Sequence, residues 1–320
     1  INNNKEQIKK TVWTSNEAVS AKQVPAEMVV VGGGVIGCEF AFTYNGFGSK
    51  VTVLEYLPRV VATMDEDLSK ELDKILRKSG VEIKTGVKVT GVTKVDGRSL
   101  VSYAGEDGVE HQAAADVVLV ATGRTPYTDG LGLENVGISL GSPKGRRAIA
   151  VDSKMRTSVT GIYAVGDVVG SGLAHTATAE GLVAAENICG HDATMNYKAI
   201  PACIYTEPEL ASVGLTEAQA KEQGYDVAIG RFDFRSLGKA LAINDNQGFV
   251  KIVSEKKYGE ILGVHIIGPH ATDLIHEGVV SIQLENTVEE LMHTVHAHPT
   301  LGEAIMQAAE DVKGLAIDKG

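Results

Sequence analysis

The stretch Met28-Val-Val-Val-Gly-Gly-Gly-Val-Ile-Gly-Cys-Glu-Phe-Ala-Phe42 runs four apolar residues into Gly32-x-Gly34-x-x-Gly37 and continues as an apolar-rich helical pattern. Val51-Thr-Val-Leu-Glu55 then reads as a second buried strand ending in an acid. Strand, glycine turn, helix, strand and acid stand in the order a dinucleotide site requires. Each glycine has its own reason. Gly32 permits the tight turn, Gly34 lets backbone approach a pyrophosphate, and Gly37 lets the helix pack close to the strand. The first-turn amides and the helix dipole face the phosphates. Glu55 follows Gly37 at close to the spacing of about 20 residues that suits a ribose-binding acid. Its charge favours a 2′-hydroxyl over a 2′-phosphate, hence NAD over NADP. A glycine-rich turn of some other α/β unit would share the glycines without this context.

Working outward, size and composition set bounds. A chain of 320 residues suits about two or three domains. Hydrophobic content of 43% and 22% charged residues are ordinary for a soluble globular protein. A net charge of −11 argues against nucleic acid, whose phosphates need Lys and Arg. No apolar run approaches the roughly 18 residues of a membrane helix, so no membrane partner is expected. The polar start Ile1-Asn-Asn-Asn-Lys-Glu-Gln is not a secretory signal. Cys38, Cys189 and Cys203 are too scattered for a disulfide framework, which makes a cytoplasmic location the expectation.

Residues 1–25 read as an entry segment that leads in from, and belongs to, a domain upstream. Asp65–Gly80 predicts a helix, with acids crowding its start, bases its end, and Gly80 stopping it. Val81–Lys84 is a short strand, and 88–112 an antiparallel meander. Asp116-Val-Val-Leu-Val-Ala-Thr-Gly-Arg124 reads as an apolar strand entering a glycine turn. Val159-Thr-Gly-Ile-Tyr-Ala-Val-Gly-Asp167 reads as another buried strand, followed by a small-residue helix from Ala174. From about residue 197 strand-like and helical runs alternate, which predicts an α+β domain with an antiparallel sheet.

Three motifs carry a resemblance: Gly32–Gly37 with Ala121-Thr-Gly-Arg124; Gly161-Ile-Tyr-Ala-Val-Gly-Asp167; and His296-Ala-His298-Pro-Thr-Leu-Gly-Glu303-Ala. On these the chain resembles the pyridine nucleotide–disulfide oxidoreductases, most closely the dihydrolipoyl dehydrogenase branch, over essentially its whole length. The resemblance implies an α/β protein: a Rossmann-like NAD-binding domain at 26–148, the C-terminal half of a split FAD domain at 149–196, and an α+β dimerisation domain at 197–320. It implies NAD on Gly32, Gly33, Gly34, Val35, Ile36, Gly37, Cys38 and Glu39, with Glu55 on the adenosine ribose. Val89 would line the adenine side and Gly123 the nicotinamide side. Asp167 would hydrogen-bond the flavin's ribityl chain, and Gly172, Leu173, Ala174 and His175 would pass beside the flavin ring. Glu39 would lie near the flavin and pair with a lysine of an upstream domain.

The same resemblance makes His298 the catalytic base, oriented by Glu303, in a pair that reaches across a homodimer interface to the partner's redox disulfide. The chemistry agrees. Oxidising a dithiol needs a base for the thiol proton, because the thiolate is the attacking species, and a carboxylate on the far ring nitrogen fixes the histidine tautomer. With Pro299 between them, the spacing predicts His298 at the mouth of a helix and Glu303 roughly one turn inside. Read from spacing alone, His298 as a helix cap and Glu303 as a solvated face residue would serve equally well. His293, His296 and His298 match no zinc spacing, and no metal is expected. The family's Cys-x-x-x-x-Cys pair and a second glycine fingerprint upstream are absent from these residues. The expectation is therefore a chain without the first FAD domain, its FAD site incomplete and residues 1–25 the entry segment from that domain. Implied partners are lipoyl domains of 2-oxo acid dehydrogenase or glycine cleavage complexes. The implied activity is flavin-dependent oxidation of dihydrolipoyl groups with reduction of NAD. The alternatives are a non-catalytic NAD-binding dimerisation module, or another disulfide or metal reductase of the family.

Overall fold

The structure is a computed structural model that describes residues 11–142 and 145–319. It forms two compact units, one taking the chain up to Thr122 and again from Pro201, the other Gly123–Ile200. The first unit opens with β1 (Val12–Trp13), β2 (Glu27–Val31), β3 (Lys50–Leu54), β4 (Glu82–Lys84), β5 (Lys88–Val95), β6 (Arg98–Ala104), β7 (Glu110–Ala115) and β8 (Val117–Val120). Strands β1, β8, β2, β3 and β4 lie side by side in that order, every neighbouring pair parallel. Helices α1 (Val35–Gly46) and α2 (Glu66–Lys78) cover one face. Met28, Val30, Val51, Val53 and Leu119 there meet Cys38, Ala41 and Tyr44 of α1 and Leu68, Leu72 and Leu76 of α2. Each of those leucines is fully buried and contributes about 1.5–3 kcal/mol. The antiparallel meander β5-β6-β7 covers the other face, Val101, Tyr103 and Ala115 packing on Val29, Leu54 and Val118. Both faces are covered, so the strands read as continuous apolar runs.

Residues 1–10 of the expected lead-in lie outside the described residues. The rest of it is part of this unit: Val12 and Trp13 pair with Val118 and Leu119 and add the edge strand to the parallel sheet.

In the second unit β9 (Leu140–Ser142) and β10 (Gly145–Ile149) pair only with each other, ahead of helix α3 (Ala174–Ile188). This unit starts at Gly123, where the sequence reading placed a boundary at 148. The expected strand at 159–167 does not form. Its backbone makes one isolated bridge, Arg156 to Tyr163, and Gly166–Val169 turns as a short 3₁₀ helix. Among the described residues no strand lies beside it to complete a ladder. Its apolar residues Val159, Ile162 and Ala164 pack instead around Ile138, Ile149 and Val169.

From Pro201 the first unit resumes with β11 (Ala202–Ile204), β12 (Glu209–Gly214), β13 (Val227–Asp233), β14 (Phe249–Glu255) and β15 (Ile261–Gly268), an antiparallel sheet of order β11-β12-β15-β14-β13. Helices α4 (Ala271–Gln283), α5 (Val288–His293) and α6 (Glu303–Val312) follow. Val213, Phe232, Val250, Ile252, Val264 and Ile266 face Ile275, Leu291, Ile305 and Ala308. Ile204, Leu210, Phe249 and Ile267 join the core beneath α1 and α2, so the two sheets of this unit share one continuous interior.

A nucleotide-type glycine turn and a histidine–carboxylate pair

The turn after β2 is built as its glycines require. Gly32 has φ +107°, and a Cβ there would stand 2.5 Å from the Ala121 carbonyl oxygen. A Cβ on Gly37 would stand 1.9 Å from the Gly32 carbonyl oxygen, so only glycine lets α1 start this close to β2. Gly34 differs, since a Cβ there would meet no protein atom within 4 Å. It is the cap of α1, and among the described residues no side chain caps this helix, so the amides of its first turn are left without a capping side-chain acceptor there. A pyrophosphate fits that end by charge and by hydrogen bonding.

Glu55 is buried at the tip of β3 and holds this turn from the side. The Gly33 N–H donates to one of its oxygens and the Leu57 N–H to the other at 2.6 Å. A carboxylate has about four lone-pair sites, so two remain for further donors. The chain after Glu55 returns to the turn, where the Val61 N–H donates to the Gly33 carbonyl (2.8 Å). Val87 donates to the Glu55 carbonyl (3.0 Å), which brings β5 and half-buried Val89 to the same end of the sheet. Val35 and Ile36 are partly exposed. Cys38 is fully buried, its thiol donating to the Gly33 carbonyl (3.3 Å), and burial, helped by Glu55 and Glu39, pushes its pKa up to about 12. Its side chain is a core group that supports the turn. Glu39 accepts the Tyr205 N–H at 3.0 Å.

In the second unit Gly123 turns at φ +109°. Asp167 lies exposed in the 3₁₀ turn with Arg124 3.9 Å away. Gly172 and Leu173 lead into α3, whose first residues are Ala174 and His175. On either side of that stretch the hydroxyls of Ser171 and Thr176 are buried without a hydrogen-bond partner among the described residues. Buried polar atoms without partners are rare, and a polar ligand running past Gly172–His175 would satisfy them. The donors present thus fit a flavin-type group.

His298 lies in the segment between α5 and α6. Its Nδ1 is 2.8 Å from Glu303 Oε1, and the Thr300 N–H donates to Glu303 Oε2 at 2.7 Å. Burial works against the Glu303 charge, yet the Thr300 amide and the His298 ring outweigh it and hold the carboxyl below its ordinary value. An ionised carboxylate only accepts, so Nδ1 of the neutral ring carries the proton and Nε2 is left as an acceptor. The His298 side chain is 78% exposed and that of Glu303 15%. The expected geometry differs in one respect. Glu303 is the first residue of α6 rather than a turn inside it, because the Thr300–Gly302 turn consumes the intervening residues. The His298–Pro299 peptide is cis.

Two arrangements escaped the sequence reading. The buried ammonium of Lys251 on β14 donates to Asp65 (2.9 Å), Asp67 (2.6 Å) and Glu217 (2.8 Å). A lysine inside the apolar run Phe249-Val-Lys-Ile-Val253 was the available signal, since lysine is almost never buried unpaired. The second is His296, whose Nε2 meets Glu277 of α4 at 2.8 Å and whose Nδ1 meets the Thr294 carbonyl at 2.8 Å. No local pattern announces Glu277. Among the described residues no group of three or more His, Cys, Asp or Glu is placed to hold a metal, and no helix is long and apolar enough to cross a membrane.

Against known families, residues 1–181 match the sequence profile of the pyridine nucleotide-disulphide oxidoreductases and residues 200–309 that of their dimerisation domain. The chain belongs to this family. Among curated relatives it is 44% identical over 307 residues to the dihydrolipoyl dehydrogenase of Geobacillus stearothermophilus and 41% over 308 residues to that of Haloferax volcanii, covering 96% of this chain and 64% of each relative. Among solved structures it matches LpdA from Mycobacterium tuberculosis with a TM-score of 0.85 and 30% identity, over 93% of this chain and 64% of that one. The HOCl-induced flavoprotein disulfide reductase RclA of Escherichia coli matches with a TM-score of 0.84 and 27% identity, over 95% and 69%. The chain thus spans about two thirds of the length of these proteins.

Proposed function

We propose that this chain is the NAD-binding and base-bearing part of a flavin-dependent dihydrolipoyl dehydrogenase. The observation that carries this is the His298–Glu303 pair: an exposed imidazole held by a carboxylate on Nδ1, with Nε2 left to take a thiol proton. The identity above 40% to two dihydrolipoyl dehydrogenases supports that substrate class. In the proposal a flavin and NAD supply the electron transfer when bound. The chain's own residues bind and orient. First-turn amides at Gly34–Gly37 hold the pyrophosphate, Glu55 takes ribose hydroxyls while fixing Gly33, and Val89 borders the adenine. Asp167, with Gly123 and the Gly172–His175 stretch, belongs to the nicotinamide and flavin side. Cys38 supports the turn through its backbone and core packing. Val35, Ile36 and Glu39 complete the turn.

In domain terms, residues 26–148 form the NAD-binding part, 149–196 the flavin-facing segment and 197–320 the dimerisation part of a homodimer whose partners are lipoyl-bearing proteins. Three free cysteines suit a reducing, cytoplasmic setting. Other disulfide reductases of the family remain the second reading, supported by the structural likeness to RclA. In the enzyme completed with a flavin-binding domain, His298→Gln should lower lipoamide-linked turnover by about 10²–10⁴. Unchanged turnover would leave His298 a structural residue and remove the proposal's main support.

A further inference from the structure

We propose that Glu277 and His296 are positioning residues for His298. The proposal rests on the reading of His298 as the base. The segment from Thr294 to Gly302 is short and carries an exposed imidazole, so the direction of that ring depends on what fixes its backbone. At the near end the Thr294 hydroxyl donates to the Glu290 carbonyl (2.6 Å), and at the far end the Thr300 hydroxyl closes on Ala297 (2.7 Å). Between them His296 is turned inward, its side chain 9% exposed against 78% for His298. Both of its ring nitrogens face acceptors, the Thr294 carbonyl and the Glu277 carboxylate. Glu277 stands on α4, 19 residues away in sequence, so this contact ties the segment to a separate, rigid helix. The His296 ring edge also lies against the turn, where a Cβ on Gly302 would meet its Cδ2 at 3.5 Å. The result is two histidine–carboxylate pairs in sequence. Glu277–His296 fixes the backbone, and His298–Glu303 fixes the ring that projects from it.

Positioning of this kind matters because a base works only when held within hydrogen-bond reach of its proton, and small displacements are costly. The test is ¹⁵N histidine NMR on the chain as it stands, with Glu303→Ala as reference and Glu277→Ala and Glu277→Gln as test variants. A thermal midpoint for each variant checks that it is folded. In the unaltered chain His298 should hold one tautomer, with its proton on Nδ1. Glu277→Ala should move both His298 ring nitrogens toward the averaged shifts of an untethered histidine. Glu277→Gln keeps an acceptor oxygen for His296 and should restore most of the Nδ1–H signal. If Glu277→Ala leaves His298 unmoved while Glu303→Ala shifts it, the anchoring role is wrong and the His298–Glu303 pair stands. If Glu303→Ala also shifts nothing, the pair itself is not as described and both readings fall.

Discussion

Gly34 and Gly37 share a residue type and answer to different demands. At Gly37 the demand comes from the fold, because an added Cβ would overlap the Gly32 carbonyl. At Gly34 the fold makes none: φ is −74°, open to any residue, and no protein atom lies near. Gly37→Ala should therefore lower stability by at least about 2 kcal/mol in urea unfolding, from overpacking against backbone that cannot move aside. Gly34→Ala should leave the urea midpoint within experimental scatter and weaken nucleotide binding by tenfold or more. A stable Gly37→Ala, or a Gly34→Ala variant that binds NAD normally, would contradict these roles. Both glycines were legible in the sequence because the fingerprint states their reasons. The carboxylate of Glu55 was only half legible. Its place at the strand end was readable, but its grip on Gly33 and Leu57 was not, since that depends on how the chain after it folds back.

Helix α2 shows the same division at the next scale. Its limits followed from the charge gradient and Gly80, and in the structure Asp65 caps it, accepting the Asp67 N–H at 3.1 Å. Its tertiary partner did not follow, because Lys251 stands 186 residues from Asp65 and nothing local couples them. Lys251→Met would leave Asp65 buried without its cation and should cost about 3–5 kcal/mol, read from urea unfolding. A loss below about 1 kcal/mol would mean the cluster is already satisfied by other donors.

The cluster also sets a pH window. His265 on β15 is fully buried, accepting from the Ser212 hydroxyl and donating to the Leu215 carbonyl, and burial lowers its pKa. Its contribution is full above the unfolded value of about 6.5 and drains as pH falls from there through the folded value. At Asp65 burial opposes the charge, but His265 and Lys251 outweigh it. At Glu217 hydrogen bonds from Lys221 and Lys251 do the same, so both carboxyls are lowered and give way below about 4. Lys251 is raised by Asp67, Glu217 and Asp65 against its own burial, and holds until pH exceeds about 10.4. Thermal midpoints should thus be flat between about pH 7 and 8. Above about 8.5 they should fall, because buried Cys38 stays protonated in the folded chain while it ionises in the unfolded one. On the acid side they should fall in two stages. A single acid stage near 4 would exclude the His265 contribution.

At the scale of the whole molecule, the order of elements from β2 to α2 was readable because each boundary carries its own chemistry. The stretch 159–167 was not: a strand is a property of a pair, and its apolar run found a local core instead of a ladder. The assignment of the nucleotide was readable from Gly32–Gly37 and Glu55 together. That assignment is the centre of the account, and calorimetric titration of this chain with NAD and NADP in parallel tests it most directly. One NAD should bind per chain, at least tenfold tighter than NADP, about 1.4 kcal/mol apart. Glu55→Ala should weaken NAD and narrow that gap. Equal affinities in the unaltered chain, or no binding of either nucleotide, would contradict it.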